Sequence, residues 1–213
     1  MIEKLIQDFM SNKIYTHRTP LCELMKQHGS DKSTRHNYTT LYDYIFDAVQ
    51  LKTHNINLFE MGIGSTSPRF PGNMGETGIP GASLRAWAEY LPLANIYGAD
   101  VDSSILFEES RIKTFWCEQT DGVSVGNMWR LIPDDFDIIV DDGLHSFLGN
   151  TIFFKNSFHK LKSGGLYFIE DICPHDICFL EKFLELTSCS YKIILTIPHN
   201  ENNHDNSIAV IEK

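Results

Sequence analysis

Apolar and polar positions follow two different rhythms along this chain, and the change comes near residue 55. Before it, apolar residues recur every three or four positions. In "MIEKLIQDFM", Ile2, Leu5, Ile6 and Phe9 share a helical face, with Glu3, Lys4 and Asp8 among them. "PLCELMKQHG" runs to a glycine at position 29, and in "TTLYDYIFDAVQL" Leu41, Tyr44, Ile45 and Ala48 form a stripe. This spacing places one face of a helix against a core, and a terminal glycine suits a helix end. Three helices are predicted over residues 1–52.

After residue 55, short apolar runs alternate with amphipathic stretches: "NLFEMG", "SLRAWAEYL", "NIYGADVD", "FDIIVDD", "NTIFFKNSFHKLKSGG", "LYFIED", "ICFLEKFLEL", "YKIILTI" and "SIAVIEK". Continuous apolar runs read as strands buried on both faces, and helices between them read as right-handed crossovers. A doubly wound, mostly parallel α/β sheet over residues 55–213 is predicted. In the fifth stretch, Ile152, Phe154, Phe158 and Leu161 suit a buried helical face, with Gly164 or Gly165 as its C-cap. Trp87, at helical spacing from Leu84 and Leu91, is expected in the core. The last two strands, joined by the polar "PHNENNHDN", predict an antiparallel hairpin at one edge. No repeat or linker interrupts the chain, so a single domain is expected.

Composition narrows the function classes. The 213 residues are 42% hydrophobic and 22% charged, as in an ordinary globular protein. Eighteen basic and 28 acidic residues give a net charge of −10 without a Lys/Arg cluster, which argues against nucleic acid or anionic membrane as partner. The charged N-terminus is unlike a signal peptide. Five cysteines, without a C-x-x-C pair, indicate neither a disulfide framework nor a zinc site. A cytoplasmic, reduced protein is expected.

The stretch "MGIGSTSPRFPGNMGETGIPG" follows the first predicted strand, where a doubly wound sheet opens its ligand crevice. Gly62 and Gly64 would let the backbone approach a ligand closely. A dinucleotide fingerprint needs a third glycine where Ser67 stands, and Asp100 comes 100 − 62 = 38 residues after Gly62 rather than about twenty. Glu60 would also repel a pyrophosphate. The expected ligand lacks a pyrophosphate and tolerates a nearby negative charge.

"FEMGIG" followed by "IYGADVD" resembles the first two motifs of class I S-adenosylmethionine-dependent methyltransferases. "HNYTTLYD", "PGASLRAWAEYLP", "CEQTD", "VDDGLHS" and "GGLYFIEDI" are similar, in this order, to motifs of the metal-dependent sugar O-methyltransferases of the macrocin and mycinamicin type, over roughly residues 28 to 175. The resemblance implies a seven-stranded Rossmann-like methyltransferase fold, with residues 1–52 as a helical segment or lid. It implies that Gly62 and Gly64 line S-adenosylmethionine, with Glu60 beside them, and that Asp100 accepts hydrogen bonds from the ribose hydroxyls. Glu118 and Gln119 fall where the family contacts adenine, although the family more often has Gly-Asp where this chain has Cys117 and Glu118.

Strand ends Asp141-Asp142 and Glu170-Asp171 concentrate negative charge at one rim of the sheet, which an all-oxygen site for Mg²⁺ would relieve. Successive strand side chains point to opposite sides, so Asp141 and Asp142 are not both expected at the ion; Asp141 is either structural or in contact with the cofactor. The resemblance points to Asp142 and Asp171, 171 − 142 = 29 residues apart, as metal ligands, with Glu60 as a third candidate and His145 as general base. From the residues alone, Asp142-Gly143 is equally an ordinary turn and His145 an ordinary loop histidine. His17, His28, His36 and Tyr38 are candidates for a lid or substrate wall, and Phe70 and Met74 for a cover over the substrate. The activity implied is methylation of a hydroxyl on a sugar, nucleotide-sugar or glycosylated small molecule, by a chain that could form a homo-oligomer. Two other readings stay open on this evidence: a nicotinamide-dependent oxidoreductase on a similar sheet, and a non-catalytic interaction module.

Overall fold

The computed structural model describes residues 1–132, 135–199, 202 and 204–213. Three helices, α1 (Ile2–Ser11), α2 (Pro20–His28) and α3 (Tyr38–Ala48), precede the sheet. Then follow β1 (Asn57–Met61), α4 (Ala82–Tyr90), β2 (Asn95–Asp100), β3 (Glu108–Glu109), β4 (Ile112–Trp116), α5 (Gly122–Leu131), β5 (Phe136–Asp141), α6 (Phe147–Ser157), β6 (Leu161–Ile169), α7 (Pro174–Glu185), β7 (Tyr191–Thr196) and β8 (Ser207–Glu212).

The strands form one sheet in the order β3-β4-β2-β1-β5-β6-β8-β7. From β4 to β6 all pairs are parallel, while β8 runs antiparallel to both β6 and β7, which confirms the C-terminal edge hairpin. Among the described residues the sheet has eight strands rather than the expected seven, because the two-residue β3 pairs antiparallel with β4 at the other edge. Both β3 residues are exposed glutamates, so no apolar run announces it.

Side chains alternate across the sheet as its buried runs require. Leu58, Ile138, Val140, Leu166 and Phe168 face the layer holding Ile2, Phe9, Met25, Leu41 and Trp87. Phe59, Ile139, Tyr167 and Ile169 face the layer holding Trp129, Phe153 and Leu184. The N-terminal helices therefore cover one face of the sheet. In α3 the buried face is shifted from the expected stripe: Leu41 and Ile45 are buried with Tyr38, Tyr42 and Phe46, whereas Tyr44 is half-buried and Ala48 exposed.

The expected end of α6 is corrected. That helix stops at Ser157, and Leu161 already opens β6. Phe136 pairs with Leu161 and Ile138 with Leu166, so the four residues "KSGG" lie opposite Asp137 alone and the strand bulges. Gly164 sits in this bulge at φ +76°, and a Cβ on Gly165 would meet the Asp137 carbonyl at 3.0 Å, so both glycines serve a bulge, not a cap.

The chain winds outward from β1 to β2 and β4, then returns to the other side of β1 at β5. Strand order reverses there, at the carboxyl ends of β1 and β5.

Candidate active site

A cavity of about 570 Å³ opens at this reversal point. Its walls come from the glycine-rich loop, the ends of β1, β2, β5 and β6, and the turn before α3. Gly62 and Gly64 line it at φ +85° and +87°, backbone that an L side chain rarely adopts. Their role is tighter than close approach to a ligand. A Cβ on Gly62 would lie 2.0 Å from the Asp142 carbonyl oxygen, and one on Gly64 would meet Met74 Sδ at 2.2 Å. Gly62 lets the first loop cross the loop after β5. Phe70 and Met74 also line the cavity.

Asp100 lies at the end of β2 and lines the same space. Its Oδ2 accepts from Ile63 N and its Oδ1 from Asp102 N, both at 2.9 Å, so it pins the glycine loop to the turn after β2. Each carboxylate oxygen keeps a further lone pair, which leaves room for ribose hydroxyls. Glu118 also lines the cavity, with Oε1 accepting from the Thr120 amide and hydroxyl.

Gln119 and Asp141 depart from the expectation of direct cofactor contact. Gln119 Nε2 donates to Asp141 Oδ1 at 2.6 Å, and its Oε1 accepts from Leu144 N at 2.8 Å. Gln119 borders the cavity, but its amide braces the loop after β5. Asp141 is fully buried, takes a second bond from Asn150 and is not among the cavity-lining residues. Strand alternation turns Asp141 behind the sheet and leaves Asp142 at the rim. Burial raises the Asp141 carboxyl to about 6, against its hydrogen bonds.

At the rim, ligand atoms of Asp142, His145 and Asp171 lie within 4.8 Å of one another. His145 bridges the two carboxylates, with Nε2 3.2 Å from Asp142 Oδ1 and Nδ1 3.7 Å from Asp171 Oδ2. Both His145 (φ +53°) and Asp171 (φ +52°) hold left-handed backbone, the strained conformation that collects at functional sites. Asp171 is kept there by Tyr38, whose hydroxyl donates to Oδ1 at 2.8 Å and accepts from Asp171 N. His36 Nδ1 adds a contact at 3.3 Å.

Glu60 does not join this group. It is fully buried, Ser83 Oγ and Trp87 Nε1 donate to its two oxygens at 2.6 Å each, and Lys32 Nζ lies 3.5 Å away. It borders the cavity, but in this structure its oxygens are held by α4 and Lys32 and stand apart from the Asp142–His145–Asp171 group. Trp87 is core as expected, and its indole N–H fastens Glu60.

The N-terminal segment acts as the backing of the rim. Tyr38, Tyr42, His36 and Lys32 are buried, whereas His28 pairs with Glu89 away from the cavity. Tyr42 donates to Glu170 Oε1 at 2.5 Å, and Lys32 Nζ reaches Asp142 Oδ2 at 2.5 Å and Glu170 Oε2 at 2.6 Å. Tyr38 is thus a support behind Asp171 and no lid; it is fully buried under the strand ends. Lys32 was invisible to local pattern, lying 110 residues from Asp142. The excess of carboxylates at two adjacent strand ends is the signal that calls for an internal cation.

Burial disfavours the charged His145 ring, but the hydrogen bond to Asp142 and the fields of Asp171, Asp142 and Asp141 outweigh it and raise the group to about 9. Asp142 is held well below the usual carboxylate range, because Lys32 and His145 overcome its desolvation. Asp171 and Glu170 are pushed up, chiefly by burial. A raised basic group adds stability that is complete below its unfolded value of 6.5 and vanishes as pH climbs through about 9. In chelator, the His145 ring should therefore titrate near 9 by NMR, and the protein should lose stability between about pH 6.5 and 9. A midpoint at or below 6.5 would contradict this electrostatic arrangement.

No family model matches the chain. It is 31% identical over 152 residues to the 8-demethyl-8-alpha-L-rhamnosyl tetracenomycin-C 2'-O-methyltransferase of Streptomyces olivaceus, covering 71% of this chain and 37% of that protein. It is 30% identical over 158 residues to the mycinamicin VI 2''-O-methyltransferase of Micromonospora griseorubida, covering 74% of this chain and 37% of the relative. The chain thus spans under two-fifths of the length of these relatives. Among solved structures, the MycE methyltransferase of the mycinamycin biosynthetic pathway, in complex with Mg and SAH, superimposes with a TM-score of 0.71 at 22% identity, over 92% of this chain and 55% of that one. The shared fold is that of a class I methyltransferase.

Proposed function

The chain is a relative of the sugar O-methyltransferases of the mycinamicin and macrocin type, and from that premise we propose that it transfers a methyl group from S-adenosylmethionine to a hydroxyl of a sugar or glycosylated small molecule. The observation that carries this reading is one cavity walled by the Gly62–Gly64 loop and Asp100 at one side and by Asp142, His145 and Asp171 at the other. The first side suits a cofactor without phosphates. The second suits a hydroxylated acceptor.

The donor set fits a hard divalent ion such as Mg²⁺: two carboxylates that no lysine fully neutralises, at the rim rather than in the core, with side chains 21% and 12% exposed. Asp142 and Asp171 are the residues that would hold it. When bound, such an ion supplies Lewis acidity, which lowers the pKa of an acceptor hydroxyl, and S-adenosylmethionine supplies a methyl on a sulfonium.

His145 accepts the hydroxyl proton as the oxygen forms its bond to the methyl carbon and the sulfonium–methyl bond breaks; the cofactor leaves as the neutral thioether. To do so the ring must be neutral, and the carboxylate fields that raise it to about 9 have to be offset by the cation. Vicinal hydroxyls on the acceptor would chelate the ion and orient one oxygen for attack. No helix among the described residues is long and apolar enough to cross a membrane. The five cysteines are free, as suits a reducing cytoplasm, where we place the reaction.

Calorimetry tests the cofactor half. S-adenosylmethionine and S-adenosylhomocysteine should bind and NAD should not. Asp100→Ala should weaken binding by about 1.5 to 3 kcal/mol, the worth of hydrogen bonds to a charged acceptor. Tight NAD binding without affinity for either sulfur compound would overturn the reading in favour of an oxidoreductase.

A further inference from the structure

Four carboxylates and one ammonium meet at the rim, and they divide into two sets. Lys32 reaches it from the single helical turn Asp31–Ser33, just after the Gly29 cap of α2. Its side chain is only 2% exposed, and Nζ touches Asp142 Oδ2, Glu170 Oε2 and Glu60 Oε1 at 2.5, 2.6 and 3.5 Å. Nζ donates hydrogen bonds to Asp142 and Glu170, and Glu60 lies at ion-pair distance, so the ammonium is surrounded by three carboxylates. Tyr42, Ser83 and Trp87 complete the shells of the two glutamates.

The second set is Asp142 Oδ1, His145 and Asp171. Asp171 takes its support from Tyr38 and His36 rather than from Lys32. Only Asp142 belongs to both sets, with Oδ2 on the lysine and Oδ1 on the histidine. That pattern is the one a pair of neighbouring cations produces, in which a bridging carboxylate gives one oxygen to each. Lysine is a compact point charge, and among three buried carboxylates it relieves the repulsion that a metal ion would otherwise relieve.

We propose that Lys32 is an internal cation that fills one of two cation positions in the acidic rim, so that Asp142 Oδ1 is turned toward a single divalent ion. The proposal rests on the reading of Asp142, His145 and Asp171 as the ion site. Lys32 acts through Asp142 and is a positioning residue. Its removal opens a second seat among Glu60, Asp142 and Glu170, whose oxygens suit the same hard cations.

The test is equilibrium dialysis of the full chain against Mn²⁺, with electron paramagnetic resonance of the bound ions, for the native protein and Lys32→Ala. The native protein should bind one ion with an isolated-Mn²⁺ spectrum. Lys32→Ala should bind one more, with lines broadened by the neighbouring ion. A folded variant with the same ion count as the native protein overturns the proposal, as do two ions in the native protein. No ion in the native protein and one in the variant would sink the metal-site reading while supporting the role of Lys32. If the variant is unfolded in chelator, circular dichroism should show Mn²⁺, and not Na⁺, restoring its helical signal; failure of Mn²⁺ to restore it counts against the proposal.

Discussion

His145→Ala should lower kcat by about 10² to 10⁴-fold, the range over which a positioned general base typically contributes. The ring lies in the loop after β5, 3.2 Å from Asp142 Oδ1 and 3.7 Å from Asp171 Oδ2, beside the two carboxylates that would hold the ion. Affinity for S-adenosylhomocysteine should change little, because His145 stands at the acceptor side of the cavity. The native enzyme should show kcat/KM rising along an acidic limb, and the variant should lose that limb. An alanine variant with near-normal turnover and the same limb would remove His145 from the chemistry and leave the carboxylates as the candidates for the base.

The double variant Asp142→Asn/Asp171→Asn should lose turnover by at least a comparable factor. Both side chains keep their shape, but one acceptor oxygen of each becomes an NH₂ donor, so the loss reports charge together with the hydrogen bonds that Lys32, His145 and Tyr38 give these carboxylates. Each asparagine removes an anionic oxygen that a hard cation needs, and carboxamide oxygens are weaker ligands for Mg²⁺. In chelator the two substitutions should act oppositely on stability: Asp142 is a carboxylate that Lys32 and His145 hold ionised, so its neutralisation costs stability, whereas Asp171 is a buried carboxylate whose neutralisation lessens repulsion at the rim. Thermal unfolding in EDTA beside turnover in saturating Mg²⁺ separates the two effects. Full activity in the double variant would refute the ion site, whereas inactivity with a collapsed melting temperature would indicate that the residues serve folding instead.

Much of the sheet was legible because its strands are buried on both faces and read as unbroken apolar runs. "FDIIV" and "LYFI" could hardly be anything else beside amphipathic neighbours. The end of α6 was misread because Phe158 and Leu161 keep helical spacing after the helix has stopped at Ser157. Only the pairing of Phe136 with Leu161 reveals the bulge, and pairing is a tertiary fact. The two glutamates of β3 carry no hydrophobic signal at all.

The site shows the same division. The acidic pairs Asp141-Asp142 and Glu170-Asp171 follow from strand ends, local features that a sequence displays, whereas the choice of Asp142, His145 and Asp171 comes from the family resemblance. Strand alternation also sends Asp141 behind the sheet, where Gln119 and Asn150 receive it. Glu60, by contrast, is decided by partners from distant segments: Ser83 and Trp87 on α4 and Lys32 before α3. Sequence shows the surplus of negative charge at the rim without showing that a lysine, as well as an ion, answers it.

Methyl transfer by this protein should need both a divalent ion and a sugar hydroxyl. The most direct test incubates the protein with methyl-labelled S-adenosylmethionine and a panel of glycosides and nucleotide-sugars, in Mg²⁺ and in excess EDTA, with products weighed by mass spectrometry. Labelled methyl should appear as an ether on one class of glycoside in Mg²⁺ and vanish in EDTA, and adding Mg²⁺ back should restore it. Equal methylation in EDTA, or transfer confined to acceptors without a sugar hydroxyl, would contradict the account.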